Sequence, residues 1–129
     1  MKKVNPYFLF SLISIFLLCG CSSKNDAPGT AILSYQQALI GGDYNKLANL
    51  SCAAWESQAK TDFDSFAAVT ASLQDAKCQS LTVEGNSAIV ACTGKIVANY
   101  GNEVLEIDLA AQKYQAVFEG GEWRMCGYR

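Results

Sequence analysis

The chain has 129 residues, of which 50% are hydrophobic, and a formal net charge of −2. That length suits one domain with its own core, and an acidic chain without a basic run argues against a nucleic-acid partner. The sequence contains no histidine, which removes the commonest general base and the commonest metal ligand in proteins.

The N-terminal segment has the pattern of a signal peptide. Lys2 and Lys3 precede an apolar run over 7–18, and the small residue Gly20 stands before Cys21. A basic start, a short apolar stretch and small residues at the cleavage point are typical of exported proteins. The run is shorter than the roughly 20 apolar residues that a membrane-spanning helix needs, so we interpret it as a cleaved leader.

The tetrapeptide Leu18-Cys19-Gly20-Cys21 resembles the lipobox of bacterial lipoproteins. Cys19 departs from the commoner Ala, Ser or Thr but is also small. The resemblance implies that Cys21 carries a diacylglyceryl group, with acyl chains such as palmitate. Two or more acyl chains hold a protein stably on a bilayer. We therefore expect a cell-membrane or outer-membrane lipoprotein that faces outside the cytoplasm; ordinary secretion, with Cys21 in a disulfide, is the alternative.

The first part of the mature chain has the spacing of helices. Residues 22–29 are polar and contain a proline and a glycine, which predicts a short tether. Apolar residues recur at helical spacing over 30–40, and the glycine pair at 41–42 is a typical helix end. Asp43 is a good N-cap for a second, short helix.

Two more helices are predicted before the strands begin. Residues 53–60 are helix-prone around Trp55, and Thr61 or Asp62 is a suitable cap for the next helix. The apolar residues of that helix share one face: Phe63, Phe66, Val69, Thr70 and Leu73.

From Cys78 onward apolar and polar residues alternate, as in half-buried strands. Turn residues at 85–86, 100–102 and 120–121 divide this part. The four predicted strands are 78–83, 88–98, 104–118 and 123–128. Helices followed by a four-strand meander predict an α+β fold with the helices on one face of a curved antiparallel sheet. The predicted organisation is a signal peptide over 1–20, a lipidated tether over 21–29 and a single domain over 30–129.

Four further cysteines lie in the predicted domain: Cys52, Cys78, Cys92 and Cys126. An even number in an exported domain predicts two disulfides, and the absence of a CxxC pair argues against zinc. Cys78 and Cys92 face each other if 84–86 is the hairpin loop, but a two-residue loop displaces them by one position. We favour Cys78–Cys92 with Cys52–Cys126, while Cys52–Cys78 with Cys92–Cys126 stays open.

Five short motifs resemble the nuclear transport factor 2-like superfamily, whose cone is also called cystatin-like. They are the helix and bend at 35–39 and 42–44, the hairpin at 85–90, and the closing hairpin at 114–117 and 119–124. The resemblance covers about residues 30–129. More narrowly, the chain is similar to small bacterial lipoproteins of this fold that end in "CGY", although the two short strands between the helices of larger members are not evident.

The resemblance implies a pocket in the cone, which in enzyme members holds an Asp or His base and sometimes a Tyr donor. The available groups of these types are Tyr35, Tyr100, Tyr114, Asp62, Asp64, Glu106 and Asp108. No spacing among them defines a pair, since Asp62 and Asp64 suit helix caps while Glu106 and Asp108 suit a water-facing strand edge. We therefore predict no catalytic residue, no metal and no cofactor.

If the cone is open, aromatic side chains are expected to line it: Tyr35, Phe66, Tyr114 and Trp123. The competing interpretation is that these side chains fill it. The favoured function is a non-catalytic binding or accessory module for a small apolar ligand or an envelope protein. The alternative is a small-molecule isomerase or dehydratase; inhibition of a partner protein rests on fold analogy alone.

Lipid attachment at Cys21 is directly testable. Cells labelled with a fatty-acid analogue should incorporate label into the parent protein and not into Cys21→Ala. Cys19→Ala, which places a commoner residue before Gly20, should keep the label. Equal labelling of the parent and Cys21→Ala would contradict the prediction.

Overall fold

The computed structural model describes residues 26–129. The predicted signal peptide, Cys21 and the tether up to residue 25 lie outside the described residues. The helices are α1 (Ala27–Gly41), α2 (Tyr44–Asn49) and α3 (Glu56–Ser65), with a 3₁₀ turn at Ala53–Trp55 before α3. None of the helices in this range is both long and apolar enough to cross a membrane.

Five antiparallel strands follow the helices. They are β1 (Thr70–Glu84), β2 (Ser87–Asn99), β3 (Val104–Asp108), β4 (Lys113–Glu119) and β5 (Glu122–Tyr128). The sheet order is β1-β2-β4-β5, and β3 pairs with β2 outside this path. The α+β class is as predicted, but the expected strand over 104–118 is two strands, because a 3₁₀ turn at Leu109–Ala111 interrupts it.

Helix α1 begins inside the segment predicted as tether. The Asp26 carboxylate accepts a hydrogen bond from the Gly29 N–H at 3.0 Å, and Pro28 lies in the first turn. A side-chain acceptor before the helix and a proline at its start both favour initiation. Asp26 also accepts from the N–H of Ser80 at 2.6 Å and from the Ser80 hydroxyl. One carboxylate therefore caps α1 and fastens it to β1.

These hydrogen bonds act on the charge of Asp26. Burial pushes the pKa of its carboxyl upward, but the hydrogen bonds from Ser80 and Gly29 outweigh burial and hold the pKa below its ordinary value. The cap is therefore a carboxylate at neutral pH.

The helix predicted from Thr61 or Asp62 through Leu73 is wrong. Helix α3 runs through Thr61 without a new cap, and the Thr61 hydroxyl bonds back to the carbonyl of Ser57 at 3.2 Å. Strand β1 already begins at Thr70. Half-buried and exposed positions alternate from residue 69 to residue 74, as in a strand, so the helical spacing of Phe63, Phe66 and Val69 does not continue to Leu73.

The hairpin between β1 and β2 contains a bulge that realigns its cysteines. Its loop is the two-residue turn 85–86, which alone would leave Cys78 and Cys92 one position out of register. Leu81 has no partner on β2, and this extra residue brings Cys78 directly opposite Cys92. The two form a disulfide with a Cα–Cα distance of 4.1 Å.

The second disulfide, Cys52–Cys126, joins the segment after α2 to β5. The Cys52 N–H donates to the Met125 carbonyl at 2.9 Å, and the Met125 N–H donates to the Leu50 carbonyl at 2.7 Å. The disulfide therefore secures a connection that backbone hydrogen bonds already make. These are the two pairings that we favoured from the sequence.

Within the pairing of β1 and β2, the two backbones approach each other closely at Gly94. Asp75 and Ala76 of β1 together face this one residue, which forms a second bulge. Gly94 has a φ of +90°, and a Cβ at this position would lie 2.5 Å from the carbonyl oxygens of Gln74 and Asp75. Only glycine fits so close to another backbone in this conformation.

The bulge divides β2 between two partners. Residues 87–91 pair with β4, while residues 95–99 pair with β3. Between β3 and β4 the chain passes through the 3₁₀ turn, and Leu109 of that turn is 2% exposed. The core lies between this bent sheet and the helices. Its fully buried large side chains are Ile32, Tyr35, Leu47, Val90, Leu109 and Met125.

Replacing Gly94 tests this close approach. We expect Gly94→Ala to lower the free energy of unfolding by at least about 2 kcal/mol, because the backbone conformation alone is worth about 1–3 kcal/mol and the methyl group overlaps β1. Gly101→Ala is the matched control, since Gly101 has a φ of +97° but no atom within 4 Å of an added Cβ. Urea denaturation followed by circular dichroism measures both. Equal losses would contradict a role for the contact with β1.

Candidate functional site

A cavity of about 340 Å³ lies between the helices and the bent part of the sheet. All three parts of the core contribute walls to it: α1 and α3, the strands, and the 3₁₀ turn. Its apolar walls are Leu39, Phe66, Ile96, Ile107, Leu109 and Ala111. Its polar side chains are Gln36, Asp62, Ser65, Asp108, Gln112, Tyr114 and Tyr128. The cone is therefore open, with an apolar body and a polar part.

Of the four residues predicted to line the pocket, two line the cavity, one reaches the site through its hydroxyl group and one lies elsewhere. Phe66 and Tyr114 line the cavity. Tyr35 is fully buried and reaches the site through its hydroxyl group, which lies 3.5 Å from an Asp62 oxygen. Trp123 is not among the lining residues; it packs on Phe118 with ring centroids 5.5 Å apart, beside the start of α1. The physical reason is that Trp123 and the cavity lie toward opposite ends of β5.

Asp62 is the centre of a hydrogen-bond network beside the cavity. Its carboxylate accepts from the Tyr128 hydroxyl at 3.2 Å and from the Gln58 amide at 2.9 Å. Tyr35 donates to the same oxygen as Tyr128, at 3.5 Å, and accepts from the Trp55 indole N–H at 3.1 Å. The network joins α1, α3 and β5. Asp62 and Asp64 both lie inside α3, so the prediction that they cap a helix is wrong.

The tyrosines of this region are hydrogen-bond donors and not bases. Burial raises the pKa of Tyr35 and of Tyr128, and the negative charge of Asp62 raises both further, although the Trp55 hydrogen bond opposes the rise at Tyr35. Burial, then the charge of Asp108, raises the pKa of Tyr114. These phenols keep their protons throughout the physiological pH range.

Gln36 is a polar residue of the site that the sequence analysis missed. It is 3% exposed and lines the cavity. Its side-chain amide makes no hydrogen bond to any other residue of 26–129, yet it is not sealed from solvent, so it opens into the cavity. The signal was present in the helical period: Gln36 lies four residues after Ile32 and three before Leu39, on the apolar face of α1.

The other candidate groups lie outside the cavity or at its edge. Asp64 and Glu106 make ion pairs with lysines at the surface, at 2.9 and 2.8 Å, and Tyr100 is 47% exposed. Asp108 borders the cavity, and its carboxylate accepts from the Ala110 N–H at 2.9 Å. Glu106 and Asp108 are both exposed, as the alternation predicts. Across residues 26–129 no group of three or more potential metal ligands is present.

No known family profile matches the chain, and no curated protein is similar to it in sequence. Solved structures are similar in fold. One is a candidate dehydratase of the nuclear transport factor 2-like family from Streptomyces avermitilis, with a TM-score of 0.53 and 15% identity over 74% of this chain and 86% of that one. Another is a candidate ketosteroid isomerase from Shewanella frigidimarina, with a TM-score of 0.54 and 12% identity over 78% of this chain and 91% of that one.

The domain therefore has the nuclear transport factor 2-like fold that the sequence motifs predict. At these identities the likeness establishes the fold alone, because one fold supports many unrelated functions.

Proposed function

We propose that the protein is a lipid-anchored binding module that holds a small molecule in the cavity, on the outer side of the membrane. The observation that carries the proposal is the open cavity of about 340 Å³. Small-molecule sites typically measure about 300–1,000 Å³ and combine apolar walls with a few polar groups. The aromatic side chains around the cone do not fill it, which favours binding over a purely structural core.

The anchoring part of the proposal is supported by the lipobox-like sequence at 18–21. Helix α1 begins at Ala27, so a lipid on Cys21 would be followed by a very short connection. An extended chain covers at most about 3.6 Å per residue, which limits the distance between the bilayer and Asp26 to about 20 Å. The domain would therefore stand next to the membrane, where either a small molecule or an envelope protein can reach it.

The hydrogen bonds of Asp62 support binding rather than catalysis. A general base needs an oxygen lone pair that faces the substrate proton. The two oxygens of Asp62 already accept from Gln58, Tyr128 and Tyr35. These three donors hold the carboxylate in place and fill three of its roughly four lone-pair sites, which restricts the directions from which it could take a proton.

Blocking the cavity tests the proposal. Ala110 and Ala111 are exposed neighbours in the 3₁₀ turn, but only Ala111 lines the cavity. We expect Ala111→Trp to weaken binding of the neutral fluorescent probe N-phenyl-1-naphthylamine by about tenfold or more, and Ala110→Trp to leave it unchanged. The assay uses protein carrying Cys21→Ala, so that no acyl chain competes for the probe.

Thermal unfolding of both tryptophan variants shows whether the domain stays folded. Absence of saturable binding by the parent, or equal binding by the two variants, would contradict the proposal.

One observation favours a second function, an acid–base enzyme of the isomerase or dehydratase kind. Asp62 and Tyr128 lie 3.2 Å apart at the cavity wall. A carboxylate that moves a proton and a phenol that donates to the developing oxyanion are a known pairing for such reactions. Two solved structures of this fold are also named for such reactions.

That function requires Tyr128 to leave Asp62 when a substrate enters. Turnover of a small carbonyl compound that Asp62→Asn abolishes would favour the enzyme. Asp64→Asn is the matched control, because Asp64 lies on the same helix and pairs with Lys60 at the surface. Turnover that survives Asp62→Asn would exclude this mechanism.

A further inference from the structure

We infer that the cavity selects an organic cation, an amine carried on a compact apolar body, and that Gln36 and Asp62 hold the amine. The inference rests on the proposed binding function and adds the charge class of the ligand. It is carried by two independent features of the cavity: the negative charge of Asp62, and the amide of Gln36, which opens into the cavity without a hydrogen-bond partner among residues 26–129.

The charge of the cavity wall is negative. Asp62 and Asp108 are among the lining residues, and no lysine or arginine of residues 26–129 lines the cavity. Within the same residues Asp62 makes no ion pair; its partners are neutral donors. A bound anion would lie beside these carboxylates without a compensating charge, which is unfavourable in a partly desolvated site. A bound cation would supply the missing charge.

The basic residues closest in sequence to the cavity are turned away from it. Lys113 precedes Tyr114 and Arg129 follows Tyr128, so the alternation of side chains along a strand places both on the other face of the sheet. The Arg129 guanidinium donates to the side-chain oxygen of Gln115, which confirms the direction for Arg129. On α3, Lys60 pairs with the outward-facing Asp64 at 2.9 Å. Lys95 precedes the lining residue Ile96 and lies directly opposite Asp108, where it pairs with Glu106 at 2.8 Å. Asp62 is therefore the lining carboxylate whose negative charge has no basic residue of 26–129 beside it.

The second feature is the amide of Gln36. Gln36 is 3% exposed as a whole residue, but its amide opens into the cavity. No side chain or backbone group of residues 26–129 hydrogen-bonds to this amide, so a ligand can do so without displacing a protein partner. Its amide can rotate to present its oxygen as an acceptor. An ammonium group has three N–H donors, so the Gln36 oxygen and the Asp62 carboxylate together provide acceptors for it.

The rest of the cavity suits the apolar body of such a ligand. Leu39, Phe66, Ile96 and Ile107 form an apolar wall. The ring of Tyr114 adds an aromatic surface, and aromatic faces also attract cations. The volume of about 340 Å³ lies at the low end of the range for small-molecule sites, which suits a compact aromatic amine.

Three probes with the same ring and different head groups test the inference: 2-phenylethylamine, 2-phenylethanol and 3-phenylpropionate. Each competes with N-phenyl-1-naphthylamine for the Cys21→Ala protein at pH 7. The amine should displace the dye at a concentration about tenfold lower than the carboxylate does, with the alcohol between them. In a direct NMR titration the amine should also shift the side-chain amide resonances of Gln36.

Variants assign the preference to the two residues. Asp62→Asn should reduce the difference between amine and carboxylate to less than about threefold, while Asp64→Asn should preserve it. Gln36→Met should weaken amine binding and leave the midpoint of thermal unfolding unchanged or higher, because an unpartnered amide is replaced by an apolar side chain of similar length. A lower midpoint with unchanged amine affinity would overturn the role of Gln36.

The outcomes separate this inference from the proposed function. If the dye binds and the carboxylate competes as well as the amine, the inference is wrong and the binding function stands. If neither the dye nor any of the three phenyl compounds binds, both are wrong. If the amine preference survives Asp62→Asn, the assignment of the cation to Asp62 is overturned.

Discussion

The contact of β1 with Gly94 is the constraint from which the bent sheet follows. A Cβ at Gly94 would meet two carbonyl oxygens of β1 at 2.5 Å, so this close approach of the two backbones requires a glycine at that position. Before this point β2 pairs with β4, and after it β2 pairs with β3. β3 and β4 pair with two successive parts of the same edge of β2. The chain between them leaves the sheet and forms the 3₁₀ turn Leu109–Ala111. The cavity opens at this break, between Ile96 after the bend and Leu109 in the turn.

Local patterns predicted the elements that local interactions decide. The Asp43 cap, the two-residue turn at 85–86 and the overall α+β order depend on near neighbours in the sequence. The start of β1 at Thr70 depends instead on pairing with Asn99 of β2, a contact that no local period contains. The bulge at Leu81 likewise depends on the pairing of β1 with β2 and not on a local sequence pattern. It aligns Cys78 with Cys92 through a two-residue turn, which sequence reasoning treats as incompatible with that pairing.

Two of the four aromatic residues predicted to line the cone, Phe66 and Tyr114, do line the cavity. Both are large aromatic residues, which are typical of a cavity wall. Gln36 is of a residue type that is usually exposed, and only its position on the apolar face of α1 indicates burial. Tyr128 belongs to the "CGY" end and carried no expectation of a role. It meets Asp62 only because α3 and β5 are brought together by folding; the Cys52–Cys126 disulfide joins β5 to the segment that precedes the 3₁₀ turn before α3.

The Asp62 network also explains how one carboxylate can favour a bound cation without acting as a base. Neutral donors such as the Tyr128 hydroxyl satisfy the oxygen lone pairs but leave the negative charge in place. A proton acceptor must offer a lone pair in a defined direction, whereas the attraction between charges acts over several ångströms in any direction. The geometry that holds α1, α3 and β5 together thus restricts proton transfer more than it restricts charge recognition. A ligand amine can approach Asp62 while Gln58 and the tyrosines stay in place.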